Sequence, residues 1–294
     1  MNIGEKIREL RVAKLMTQAE LAGTRITRNM LSCIENGTAN PSLSTVLYIA
    51  GRLNVPVGFL LAEEGDEVVY RKMNSFANIK RAYTAGDYWG CRSLCVSGFT
   101  EADDEISLLL ANCDSEIAIM EFWQGKLRSS CRFFDEALTY AEKTMYDTGR
   151  IFAQAGVYFR YMYRISPTIY MDFWDDEKQG DVKINSPFSH YLEALEALDE
   201  GDESVAVRFL ENSLEDSFFD AHLKIRLMMQ EGSFGEAKKA LSKLLNAENP
   251  LNEIYLYTVL CELEICCRET EDFKGAYNYA NDKMQLLEHM LSEI

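Results

Sequence analysis

The sequence predicts an all-α chain in two parts, a five-helix bundle followed by a stack of antiparallel helix pairs. Three observations carry that reading. Thr17, Thr27 and Ser42 each stand before a short apolar pattern of helical period, where a hydroxyl can accept from the orphan N–H groups of a helix start. Beyond Glu64, five short breaks are each followed at a fixed distance by a small side chain. Only 5 Pro and 17 Gly are spread over 294 residues, too few for a long disordered segment. The predicted boundaries are 1–64 for the bundle and 65–294 for the stack.

Ile3, Ile7 and Leu10 fall at i, i+4 and i+7, one stripe of a first helix running to about Lys14. Thr17 caps a second helix whose core side is Leu21 and Ala22. Thr27 caps a third, with Met30, Leu31 and Ile34 expected to face inward, and Asn36-Gly37 stops it in a left-handed conformation. Ser42 caps a fourth, amphipathic through Leu43, Val46, Leu47, Ala50 and Leu53. Val55-Pro56-Val57 then opens a short fifth helix holding Phe59, Leu60 and Leu61.

The second and third of these helices are joined by a tight turn, and the third carries polar residues on its outer face. A helix needs that arrangement to lie in a major groove. Charge agrees once the chain is divided. The whole carries −17, but residues 1–62 hold seven basic and four acidic residues, a net of +3, leaving −20 for the rest. A small basic head can supply phosphate contacts while an acidic body keeps non-specific adsorption low. Arg28 has the two parallel donors that suit guanine O6 and N7, or it contacts a phosphate. Asn29 can pair both edges of adenine, or it is a solvated helix-start residue. For Ser32 a base contact and a surface or backbone-bonding role stay equally open.

Thr17-Gln18-x-Glu20-Leu21-Ala22, then Ile34-Glu35-Asn36-Gly37, then Pro41-Ser42 and Leu60-Leu61 resemble the helix-turn-helix family of phage repressors over residues 2–61. The resemblance implies that Gln18 touches a phosphate, that Arg28, Asn29, Ser32 and Cys33 face the groove, and that Asn36 meets the DNA backbone. Arg25 and Thr27 complete the DNA-contacting set. Arg11 and Glu35 match the pair that ties the first helix to the third. Two departures stand out. The turn Gly23-Thr24-Arg25-Ile26 is about one residue shorter than the usual pattern with its Gly early, and Cys33 replaces a longer polar side chain.

The later breaks are Gly86-Asp87-Tyr88, Gly125-Lys126-Leu127, Gly201-Asp202-Glu203, Gly232-Ser233-Phe234 and Glu271-Asp272-Phe273. Five residues beyond the first position of each stands Cys91, Ser130, Ala206, Ala237 or Ala276, small enough to let two antiparallel helices approach. The intervals of 39, 76, 31 and 39 residues resemble tetratricopeptide-type repeats of ~34 residues, with 76 spanning two periods. A helix over 147–164 is expected next to an irregular segment, 165–187, read as a departure from the repeat rather than as a lid or dimer contact. Such an array presents a concave face from the first helix of each pair, suited to extended peptides. Its candidate contacts are Asn78, Arg81, Asn112, Glu116, Tyr158, Tyr161, His190, Glu193, His222, Arg226 and Tyr257, while Met228-Met229 and the Tyr/Phe-rich helix read as core.

A repressor-type head joined to such repeats resembles the Rgg/PlcR class of regulators. That resemblance implies a homodimer that binds double-stranded DNA and a short signalling peptide. The competing reading is a repressor whose repeats only dimerise or dock a protein, without a peptide. The acidic body favours a ligand with basic residues. No phosphate-cradling Gly loop, GxSxG or HExxH appears, so no enzyme and no cofactor or metal are expected. The eight cysteines form no CxxC pair and read as small core hydrophobes in a reducing compartment. With no long apolar run and no secretory signal, the expected location is the cytoplasm.

Overall fold

In a computed structural model, the residues described are 2–62, 67–99, 101–168, 182–213, 217–246 and 249–292. They form sixteen α-helices and no strand. The first five are α1 (Ile3–Ala13), α2 (Gln18–Ala22), α3 (Arg28–Glu35), α4 (Leu43–Leu53) and α5 (Val57–Leu61). Then come α6 (Glu67–Thr84), α7 (Tyr88–Gly98), α8 (Asp104–Trp123), α9 (Leu127–Lys143) and α10 (Gly149–Ile165). The remainder are α11 (Pro187–Asp199), α12 (Ser204–Asn212), α13 (Phe218–Gln230), α14 (Phe234–Leu245), α15 (Glu253–Glu269) and α16 (Phe273–Ser292). No helix of the described residues is long and apolar enough to cross a membrane.

Two compact units divide the chain, 1–101 and 102–294. The boundary predicted at 64/65 lies within 63–66, outside the described residues. The helix pair α6–α7 belongs with the first unit.

In the first unit, α1–α5 close on one core of Ile7, Leu21, Leu31, Ile34, Val46, Ile49, Leu53 and Leu60. Thr17 and Thr27 accept from the Glu20 and Met30 amides, and Ser42 from that of Thr45, as the sequence predicts. Gly4 lets α1 meet α3 at backbone contact, since a Cβ there would lie 2.0 Å from the Ile34 carbonyl oxygen. Three expected core positions turn outward instead. Met30 is 40% exposed, Leu43 63% and Leu47 53%. On α4 the inward stripe is Val46, Ile49, Ala50 and Leu53, so the axis is rotated from the one expected and the unpredicted Ile49 fills the centre.

The five breaks between paired helices share one conformation. Gly86, Gly125, Gly201, Gly232 and Glu271 have φ of +74°, +77°, +87°, +78° and +59°, the left-handed turn that reverses a helix. Each small residue beyond them is buried: Cys91, Ser130, Ala206 and Ala237 at 0% exposure and Ala276 at 7%. The pairs are α6–α7, α8–α9, α11–α12, α13–α14 and α15–α16. The helix expected over 147–164 is α10, and part of its irregular sequel, 169–181, lies outside the described residues.

The second unit departs from an open array. Helices α8, α10, α11, α13 and α15 converge, and α15 and α16 also touch α8 and α9. Aromatic rings fill the space between them. Phe122 meets Tyr158 edge-on at 5.0 Å, Trp123 meets Tyr255 at 5.3 Å, and Tyr191 and Phe218 stack on Phe219 and Tyr255 at 4.5 and 3.9 Å. Such pairs add ~0.5–1.5 kcal/mol each beyond burial.

Candidate nucleic-acid interface

The outward face of α3 is Arg28, Asn29, Ser32, Cys33 and, at its end, Asn36; the inward face is Leu31, Ile34 and Glu35. Arg28, Asn29, Cys33 and Asn36 are exposed and Ser32 is half-buried. Spaced at i, i+1, i+4, i+5 and i+8, they form one helical surface. Arg25 and Thr27 sit just before it, both exposed. The Thr27 hydroxyl accepts from the Met30 amide at 3.1 Å, so its first role is to start the helix. The Arg25 guanidinium lies 5.6 Å over the Tyr48 ring.

A buried ionic knot fixes α3 against α1 and α2. Arg11 donates to both Glu35 carboxylate oxygens at 2.7 and 3.0 Å, and to the Met16 carbonyl at 2.9 Å. The Gln18 amide donates to Glu35 Oε2 at 2.8 Å. Burial pushes the Glu35 carboxyl up, but hydrogen bonds from Arg11 and Gln18 and the Arg11 charge outweigh it and hold it below the usual carboxylate range. Gln18 was expected at a phosphate; here its amide is turned onto Glu35.

Residues that the sequence did not single out brace the other side. Tyr48 donates to the Ala22 carbonyl at 3.0 Å, and Arg52 donates to the Glu20 carbonyl, joining α4 to α2. The early Gly23 now has a cause. Its φ is +57°, and a Cβ would stand 2.4 Å from Tyr48 Oη. Lys6, 1% exposed, donates to the Ala62 carbonyl at 2.5 Å and pins the end of the bundle to α1. Nothing in the sequence marks Lys6, Tyr48 or Arg52 for these roles, and only the fold shows what they tie together.

The repeat-face candidates do not form one surface. Asn78 and Arg81 belong to the first unit, both exposed. In the second, Tyr158, Tyr161, His222 and Tyr257 lie in the core at 9%, 3%, 1% and 8% exposure. Their rings and hydroxyls are used internally: Tyr161 Oη bonds Thr258 Oγ1 at 2.9 Å, and Tyr191 Oη bonds His222 Nδ1 at 2.8 Å. Arg226 donates to Glu262 and Asp199, each at 2.8 Å, binding α13 to α15 and α11. Asn112 bonds the Leu108 carbonyl of its own helix at 2.8 Å. Glu116 is half-buried, and burial raises its carboxyl against the pull of Arg150. His190 and Glu193 alone among these nine are exposed. Both line a cleft of about 820 Å³ with Pro187, Arg208, Phe209 and Phe219.

The helix-turn-helix family model matches residues 7–60. The immunity repressor protein of Bacillus phage phi105 is 37% identical over 65 residues, which are 22% of this chain and 45% of that protein. The chain therefore spans less than half the length of this relative. Two solved structures align along almost the whole chain. One is Bacillus thuringiensis PlcR in complex with the peptide PapR7 and DNA, at 14% identity, 99% coverage of both chains and a TM-score of 0.24. The other is a transcriptional regulator from Listeria monocytogenes EGD-e, at 16% identity, covering 98% of this chain and 91% of that one, with a TM-score of 0.21. Scores this low say nothing of how the present chain is arranged.

Proposed function

We propose that this chain, headed by a helix-turn-helix domain, is a transcription regulator that reads double-stranded DNA with α3 and acts as a homodimer. The face of α3 supports this most directly. It gathers a guanidinium, two carboxamides and a hydroxyl on one outward surface, while the Arg11–Glu35 pair ties that helix to α1. Arg28 would pair with guanine O6 and N7 and Asn29 with adenine, with Ser32 and Cys33 beside them. Gln18, Arg25 and Asn36 would meet phosphates, Gln18 by releasing Glu35. Two copies would read half-sites about one helical turn apart. Selection of duplexes from a randomised library by the full chain tests this. Enrichment of a two-fold site with half-sites ~10 bp apart is expected; no enrichment over input would contradict it.

We further propose that a short peptide acting on the second unit alters DNA binding. The cleft beside His190 and Glu193 supports it, lined by the apolar Val205, Phe209 and Phe219 as well as polar groups such as Arg208, and in the size range of ligand sites. A thermal-shift screen with a defined library of short peptides, repeated with His190→Ala and Glu193→Ala, tests it. Stabilisation lost in both variants is expected. The ring-filled inner face favours a second reading, in which the repeats serve only dimerisation or docking. DNA affinity indifferent to every peptide in the library would decide for that one.

A further inference from the structure

Helix α16 carries two apolar stripes. One points into the unit: Ala276 and Met290 are buried at 7% and 0% exposure, Tyr279 packs on the core shared with α14 and α15, and Lys283 pairs with Glu264. The other is Phe273, Tyr277, Ala280, Met284, Leu287 and Leu291, at successive spacings of four, three, four, three and four residues. That is an unbroken heptad seam, the spacing by which one helix seats knobs into the holes of another. Phe273, Tyr277 and Met284 are 71%, 73% and 60% exposed, and the other three are half-buried. An exposed apolar run of this kind marks an interaction surface. The seam is also preformed. Because the inner stripe already holds α16 helical, a partner helix would meet no nucleation cost.

We propose that the occupant of this seam is the α16 helix of a second copy, paired antiparallel about a two-fold axis near Asp282. Charge and size select this partner. With Tyr277, Met284 and Leu291 at a, and Phe273, Ala280 and Leu287 at d, antiparallel register sets Leu291 against the copy's Phe273, Tyr277 against its Leu287, and Met284 against its small Ala280. The same register brings Lys274, at the outer flanking position, opposite the copy's Glu288, and by symmetry Glu288 opposite its Lys274. Asn281 meets its own counterpart on the axis. The inner flanking positions are Ala276, Lys283 and Met290, which face the body of each copy. A parallel pairing would instead set the outer flanking positions against the inner ones, which already pack on the body of each copy. The seam thus names the dimer contact that the proposed two-fold reading of DNA requires, and it rests on that reading only for its use.

Sedimentation equilibrium of the full chain without DNA tests it, so that failure to pair and failure to bind DNA are separate results. The unaltered chain is expected to dimerise. Lys274→Glu and Glu288→Lys should each weaken the dimer about 10-fold, because each turns two attractive pairs into repulsive ones. The double charge swap should restore it, and an equimolar mixture of the two single variants should form the heterodimer. Tyr277→Lys should weaken it about 100-fold or more. A chain that is monomeric throughout, a dimer indifferent to Tyr277→Lys, or a double swap as weak as the two single losses together would each overturn the proposal.

Discussion

Glu35 is 4% exposed and bonded to two side chains, on the inward face of the helix proposed to read DNA. Its carboxyl is held below the usual range, so the fold favours the charged form. The stability this supplies is complete above the unfolded value of about 4.3 and is lost as pH falls through the lower folded value. Glu35→Gln should therefore cost the head about 3 kcal/mol at neutral pH, because Arg11 is left partly buried without its anion. It should also flatten the acid limb of the melting temperature measured by circular dichroism. An acid limb that keeps its slope in the variant would assign the effect to another carboxylate. Arg28 behaves oppositely. Its side chain is exposed, so Arg28→Ala should leave melting unchanged while costing roughly 1–3 kcal/mol of DNA affinity and relaxing specificity at one base pair. A uniform loss across sequences would make Arg28 a phosphate contact.

At the scale of helices, the reversals decide the fold and are sharply local. Glu271 is the one of the five without glycine, at φ +59°. Glu271→Gly should raise the stability of the second unit by about 1 kcal/mol, since the left-handed cost disappears. Ala237→Leu should lower it by about 1–3 kcal/mol, because α13 and α14 meet there with no space. Chemical denaturation measures both, and a change of the wrong sign would show that the reversals do not set the packing. These elements were legible because a cap, a left-handed stop and a small contact residue are each dictated by a few neighbours in sequence. Leu43 and Leu47 were misplaced for the converse reason. In an apolar run such as that around Leu47 and Ile49, two stripes fit the helical period, and only the neighbouring helices choose between them. Tyr158, Tyr161, His222 and Tyr257 were misassigned to a surface because nothing local encodes that α15 returns onto α8. The outward face of α3 was readable, whereas the braces from Tyr48 and Arg52, 26 and 32 residues from their carbonyl partners, were not.

For the whole molecule the governing quantity is charge. A head of net +3 on a body of −20 should bind DNA with strong salt dependence and little affinity for random sequence. On the proposed reading the body would repel the phosphates that the head attracts, so specificity would depend on base contacts from α3 rather than on bulk attraction. The most direct test is a fluorescence-anisotropy titration of the full chain against the library-selected duplex and a scrambled one, at two salt concentrations, with Arg28→Ala alongside. Tight binding to the selected duplex alone, weakened by salt and by the substitution, is the predicted result. Equal affinity for both duplexes, or affinity untouched by Arg28→Ala, would contradict a base-reading role for α3.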